Sequence, residues 1–100
     1  MHVISQTRLK QFWRNHPTAE ASLRYWFKLT TQHRWQSFSD VCQTFPRADK
    51  VKNFVVFDIG GNNFRLITYI DFKQNKVFIR NVLTHAEYDK ENWKKDDWYQ

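Results

Sequence analysis

NFVVFDI (Asn53–Ile59), GGNN (Gly60–Asn63), FRLITYIDF (Phe64–Phe72), KQN (Lys73–Asn75), KVFIRNVLT (Lys76–Thr84) and HAEYD (His85–Asp89) follow one another without interruption. Three apolar runs joined by two tight turns read as a β-meander. Alternation puts Val55, Phe57 and Ile59 on one face of the first strand, with Phe54, Val56 and Asp58 on the other. In the central strand Leu66, Thr68 and Ile70 oppose Arg65, Ile67, Tyr69 and Asp71. Gly60–Asn63 supplies residues that tolerate φ > 0, a hairpin signal. It is no phosphate-binding loop, because GxxxxGK is missing and no helix follows to offer its N-terminus.

Upstream segments read as packing for that sheet. HVIS (His2–Ser5) is β-branched and short, fit for an edge or pairing strand. Ser5 is placed to cap a helix over Gln6–Asn15, with Leu9, Phe12 and Trp13 on one face, and Pro17 ends it at His16. A second helix is expected over Thr18–Gln32, where Ala19, Leu23, Trp26 and Thr30 recur at helical spacing and Tyr25, Phe27 and Leu29 widen the stripe. Ser37 and Asp40 resemble a capping box for a short helix, Phe38–Thr44, stopped by Pro46. Arg47–Lys52 is then a polar loop in which Lys50 and Lys52, two apart, point the same way if extended. The expected class is α+β, an N-terminal helical hairpin packed on a small twisted antiparallel sheet.

One hundred residues suit a single domain burying roughly 60–65% of its unfolded surface. Eighteen per cent aromatics, including five tryptophans, is high for so short a chain, and reads either as an aromatic core or as rings reserved for stacking on bases or a partner. A net charge of +6 directs attention to an acidic partner: nucleic acid, an anionic membrane surface or an acidic protein. The lone Cys42 rules out an internal disulfide, and its expected place is a small buried hydrophobe. The N-terminus lacks the apolar core of a signal peptide, and no apolar run approaches the ~20 residues needed to span a bilayer. The expectation is a soluble cytoplasmic protein. The tail from Lys90 to Gln100, charged but carrying Trp93, Trp98 and Tyr99, suggests a loosely packed end that docks on the body or meets a partner.

Candidate chemistry gathers where the third strand ends. Arg65 and Arg80 interrupt apolar strands, which is costly unless each guanidinium reaches solvent or an anion. A suitable register lets both clamp one phosphate; the alternative pairs Arg65 with Asp58 or Asp71. His85 suits acid–base work at neutral pH. Tyr88 needs its phenolate stabilised by neighbouring cations (Arg65, Arg80, Lys50 or Lys52) to act as a base. Glu87 and Asp89 offer carboxylates for orientation. His85, Glu87 and Asp89 make a weak metal set beside two arginines in a cationic chain, so no metal or other cofactor is expected.

The segments VIS (Val3–Ser5), FWRNHP (Phe12–Pro17), FPRAD (Phe45–Asp49), VFDIGGNNFRL (Val56–Leu66) and above all IRNVLTHAEYD (Ile79–Asp89) resemble HigB-type toxins of bacterial type II toxin–antitoxin systems. These belong to the wider RelE-like ribonuclease superfamily, and the likeness covers roughly residues 1–93. It implies metal-independent cleavage of messenger RNA, commonly in the ribosomal A site. Attack by a ribose 2′-OH would leave a 2′,3′-cyclic phosphate and a 5′-OH. It further implies a cognate helix-turn-helix antitoxin of the HigA type that neutralises the toxin. Residue by residue, Arg65 and Arg80 match the phosphate-stabilising arginines and Tyr88 the C-terminal catalytic tyrosine. His85 matches the histidine of the T-H-x-E-Y motif, and Lys50 and Lys52 fall near the RNA-binding lysines. Asp58 and Phe78 stand where Asn and Tyr are commoner.

Two other readings use the same residues. A non-catalytic module would bind RNA with steep salt dependence and cleave nothing. An interaction protein would use the Trp93–Tyr99 tail and its basic face on an acidic partner, with only background RNA affinity.

Overall fold

The computed structural model describes residues 1–100, and a five-stranded mixed sheet forms its centre. In chain order the elements are β1 (His2–Ile4), α1 (Thr7–Asn15), α2 (Glu20–Gln32), α3 (Phe38–Thr44), β2 (Asp49–Val51), β3 (Phe54–Ile59), β4 (Phe64–Asp71), β5 (Lys76–Thr84) and α4 (His85–Asp89). Short 3₁₀ turns cover Pro17–Ala19, Asn92–Lys95 and Asp97–Tyr99. The strand order is β1-β5-β4-β3-β2. β1 runs parallel to β5, and every other pairing is antiparallel. Parallel pairing needs a long crossover, which the helical layer supplies.

The meander follows the alternation in its sequence. Val55, Phe57, Ile59, Leu66, Ile70, Val77 and Ile79 face α1 and α2 in the larger core, where Leu23, Trp26 and Ala19 meet them. Trp26 packs edge-on against Phe57 at 5.4 Å, and Phe45 does the same at 5.2 Å. Thr68 is a polar member of this layer, and its hydroxyl donates to the Val55 carbonyl at 2.7 Å, so burial leaves no orphan there.

The opposite face carries a second, smaller core of Phe54, Val56, Ile67, Leu83 and Trp93. The charged tail therefore docks on the body rather than packing loosely, and Trp93, 5% exposed, is its anchor. Two faces of one sheet are thus covered unequally, by helices on one side and by the chain's last turns on the other.

Several local details depart from expectation for identifiable reasons. Ser5 makes no side-chain cap; it takes a left-handed turn, φ 69°, and its carbonyl accepts from the Arg8 amide. The second helix begins at Glu20 because Pro17 opens a 3₁₀ turn first. Tyr25 leaves the apolar stripe and is 61% exposed. Cys42 is half-buried rather than buried. Residues 49–51 form β2 on the sheet's edge, where a loop was expected. The capped short helix stands as read, with Ser37 Oγ accepting from the Asp40 amide.

β5 contains one irregularity that matters for the site. Thr68 pairs with Ile79 and Ile67 with Asn81, which leaves Arg80 as the extra residue of a β-bulge. A bulge resets the alternation. Ile79 and Val82 can then both face the larger core, although three positions separate them.

Candidate active site

Arg65 and Arg80 lie on the open face of the sheet, each fixed by different partners. Arg65 is opposite Asp58 on β3 and Leu83 on β5. It is only 8% exposed, and its guanidinium is consumed locally. Nε sits 3.2 Å from Asp58 Oδ1, and Nη1 donates to the carbonyls of Asn62 and Phe64 at 3.2 and 3.1 Å. Nη2 donates to the Asn62 side chain. The GGNN turn thus does more than reverse the chain, because Asn62 holds an arginine beneath the site. The pairing with Asp58 is one of the two alternatives open from sequence, and Asp71 takes no part in it.

Arg80 stands three residues before Leu83 and meets the tail instead. Its Nε and Nη2 donate to the two carboxylate oxygens of Asp96, both at 2.8 Å, in a fork. The Trp98 ring covers the same guanidinium, with Cζ 3.9 Å from the ring centroid. Arg80 beside Asp96 holds that carboxyl below the ordinary aspartate value, against the opposing effect of burial. The two arginines share a face but do not share a ligand, and Trp93 packs over Ile67 and Leu83 between them.

Tyr88 projects from α4 onto this face. Its ring stacks on Trp93, centroids 5.0 Å apart and planes 8° from parallel, and Arg65 Cζ lies 5.4 Å from it. The Trp93 indole N–H donates to the Tyr88 carbonyl at 3.0 Å, tying the same pair a second time. Burial raises the phenol above its ordinary value, and Asp49 on β2 adds to the rise. Arg65 and Lys94 pull the other way without prevailing. The four cations expected to stabilise a phenolate do not achieve it, so Tyr88 is a protonated phenol at neutral pH.

His85 opens α4, and its Nε2 is 3.6 Å from Asp89 Oδ2. Its backbone N–H donates to the Asn63 carbonyl at 3.0 Å, which pins the helix to the β3–β4 turn. Glu87 is committed to structure: Thr84 and Glu87 form a complete capping box. Of the two carboxylates in HAEYD, Asp89 alone remains to orient the imidazole.

Lys50 and Lys52 do not act as a pair. Lys50 is in register with Val55, on the helix-facing side of the sheet, while Lys52 takes a left-handed turn, φ 52°, that breaks the alternation. Lys50 Nζ donates to the Lys52 carbonyl at 2.8 Å, and Lys52 Nζ sits 5.2 Å above the Tyr99 ring. Both side chains remain exposed.

The net charge is concentrated elsewhere. Residues 1–36 hold Arg8, Lys10, Arg14, Arg24, Lys28 and Arg34, all exposed, against the single acid Glu20. That leaves +5 of the chain's +6 on the helical layer and its flanks. Lys10 and Arg24 flank one groove between α1 and α2, floored by Leu9, Trp13 and Phe27. Sequence reading placed the basic character on the face of the catalytic candidates; there, carboxylates nearly balance the cations.

A helical layer on one face of a small mixed sheet, with Arg65, Arg80 and Tyr88 on the face that the chain's last turns cover, fits the RelE-like fold. A family model of HigB toxins, the RelE-like toxic component of a toxin–antitoxin system, matches residues 19–91, and the chain belongs to that family. An mRNA interferase HigB of Escherichia coli O6:H1 (strain CFT073) is 31% identical over 93 residues, covering 90% of both chains. The mRNA interferase toxin HigB of Escherichia coli K12 is 30% identical over 92 residues, 89% of this chain and 88% of its own. The same figures hold for an mRNA interferase HigB of Shigella flexneri.

Asp96, Trp98, Trp93, Asp49 and Asn62 were not among the sequence-derived site residues. The aromatic spacing of the tail was visible, but its docking partner is 16 residues away from Asp96 in the chain and carries no local signal.

Proposed function

We propose that this protein is the toxin of a type II toxin–antitoxin pair and cleaves messenger RNA as an endoribonuclease. The observation that carries the reading is the Arg80 fork: a guanidinium on the open face already holds an oxyanion through two parallel N–H bonds. A phosphodiester presents the same pair of oxygens. Membership of the HigB family supports RNA as the substrate, as do relatives that bear the name mRNA interferase.

The step is transesterification. His85, oriented by Asp89, takes the 2′ proton as the 2′ oxygen attacks phosphorus. Arg80 stabilises the added charge on the pentacoordinate phosphorane, the contribution that preorganised donors make to such reactions. Tyr88, protonated and held by Trp93 and Arg65, gives its proton to the departing 5′ oxygen. The products are a 2′,3′-cyclic phosphate and a 5′-OH. Arg65 has too few free N–H groups to grip phosphate as Arg80 does, so its part is to fix Tyr88. Lys52, and Lys50 at the edge, would contact the flanking backbone.

The cationic helical layer lies apart from these residues and suits a second, larger polyanion. Ribosomal RNA around the A site fits it, so that one face docks while the other cuts. A HigA-type helix-turn-helix antitoxin would neutralise the toxin, and the cytoplasm is where message, ribosome and antitoxin meet.

The test is cleavage of a ribosome-bound message beside the same RNA free in solution, with ends mapped and their chemistry determined. Discrete cuts ending in cyclic phosphate, lost in Tyr88→Phe and His85→Ala, are expected. Intact message despite tight binding would leave a binding module.

A further inference from the structure

The last five residues cover the one guanidinium that the proposed chemistry needs. After Trp93 the chain changes character. Asp96 forks onto Arg80, and Trp98 lies over the same group while meeting Tyr69 and Phe78 edge-on at 5.4 and 5.3 Å. Tyr99 rests on Phe54 at 5.7 Å, and Asn53 closes the end. Its amide N–H donates to the Tyr99 carbonyl at 3.4 Å, and its side chain donates to the Trp98 and Gln100 carbonyls.

These anchors differ in kind from Trp93. Trp93 is embedded in the smaller core, whereas Trp98 stays 39% exposed. The Asn53 side-chain bonds are also exposed. A five-residue segment held by one ion pair, one cation–π contact, the rings of Trp98 and Tyr99 and surface hydrogen bonds, with no residue of its own buried, belongs to the low-stability end of a fold, where local opening occurs without global unfolding. The extended backbone at Asp96, between the two 3₁₀ turns, is the natural place for it to lift.

The chemistry of the contact is that of a ligand. A carboxylate on a guanidinium fork presents two oxygens as a phosphodiester does, and an indole stacked on the guanidinium plane occupies the place of a base. We propose that Asp96–Gln100 is a self-occluding strap whose Asp96 and Trp98 stand in for a phosphate and a base on Arg80. RNA backbone displaces the strap on binding. This rests on the reading that Arg80 contacts RNA, and it adds that the free toxin is held partly closed by its own C-terminus.

The experiment uses the full chain and a ten-nucleotide 2′-O-methyl RNA, which lacks the nucleophile and cannot be cut. Amide exchange is followed by mass spectrometry, and affinity is measured for wild type, Asp96→Asn, Trp98→Ala and Arg80→Ala. Adding the oligonucleotide should speed exchange at Trp98, Tyr99 and Asn53. Asp96→Asn should bind about tenfold more tightly, the factor expected if the strap is closed roughly nine-tenths of the time. The exchange measurement on wild type stands even if a variant folds poorly. Slower exchange in the complex, or unchanged or weaker binding by Asp96→Asn, would overturn the strap. If Arg80→Ala binds as wild type does, the reading of Arg80 as an RNA contact fails and takes the strap with it. Weakened Arg80→Ala binding beside an unmoved Asp96→Asn rejects the strap alone.

Discussion

Replacing Trp93 with alanine tests whether the tail is part of the fold and part of the site together. The indole is 5% exposed and packs on Phe54, Val56, Ile67 and Leu83, with Tyr88 stacked on one face and Tyr99 edge-on at 5.5 Å. A buried tryptophan removes roughly 200 Å² from water, which at about 25 cal/mol per Å² bounds its apolar contribution near 5 kcal/mol. Alanine keeps a little of that, and denatured chains already bury some of it. The expected loss is therefore about 3–4 kcal/mol, within the range for aromatic-to-alanine changes in cores. Urea unfolding should show a lower midpoint with an unchanged slope. Trp93→Phe keeps the stack but loses the N–H bond to the Tyr88 carbonyl, so about 1–2 kcal/mol is expected. Cleavage by folded Trp93→Ala should also fall, because Tyr88 loses the ring that orients it. A loss below about 1 kcal/mol would refute the second core as a stabilising element.

Arg80→Ala should lower cleavage by roughly 10²-fold, the usual consequence of removing a transition-state donor, and a loss under about threefold would remove Arg80 from the chemistry. Asp96 has a depressed folded-state pKa, so its pairing stabilises the fold above the unfolded aspartate value near 3.8 and is lost as pH falls through the lower folded value. The stability difference between wild type and Asp96→Asn, measured in urea, should be constant near neutrality and disappear in that acid window; a difference that grows as pH falls would contradict the sign. Lys10→Glu with Arg24→Glu should weaken ribosome association and flatten its salt dependence. An unchanged salt slope in a ribosome sedimentation assay would withdraw the helical layer as a docking face.

The meander was legible because period-two alternation in β3 and β4 is strict and both faces are buried, which leaves one register open to each strand. α2 was legible for the matching reason: Ala19, Leu23, Trp26 and Thr30 all lie under the sheet. β2 was not, since three residues with two charges on an edge strand look like a loop until a partner strand is present. The chemistry divides similarly. HAEYD identified His85 and Tyr88 by position, but the rise at Tyr88 comes first from burial and then from Asp49, 39 residues away in the chain, and neither is visible locally. The two arginines expected to clamp one phosphate hold separate partners in the free chain for a related reason. Guanidinium partners come from wherever the chain brings an anion, here a neighbouring strand for Arg65 and the tail for Arg80.

The bulge at Arg80 has a bearing on how such a sheet can change over generations. Deleting Asn81 would let β5 pair evenly with β4, and hydrogen bonding alone would favour the repaired ladder. The same deletion would leave Ile79 and Val82 both on the helix side, now two positions apart as plain alternation requires, and would put Arg80 in Asn81's place opposite Ile67. Shortening this strand by one residue is thus compatible with the core, and what it changes is the setting of Arg80, whose fork onto Asp96 starts from the bulge. A relative one residue shorter here should keep apolar residues at the positions of Val77, Ile79, Val82 and Leu83 and lose the Arg80–Asp96 pair, a pattern that can be read from sequence alone.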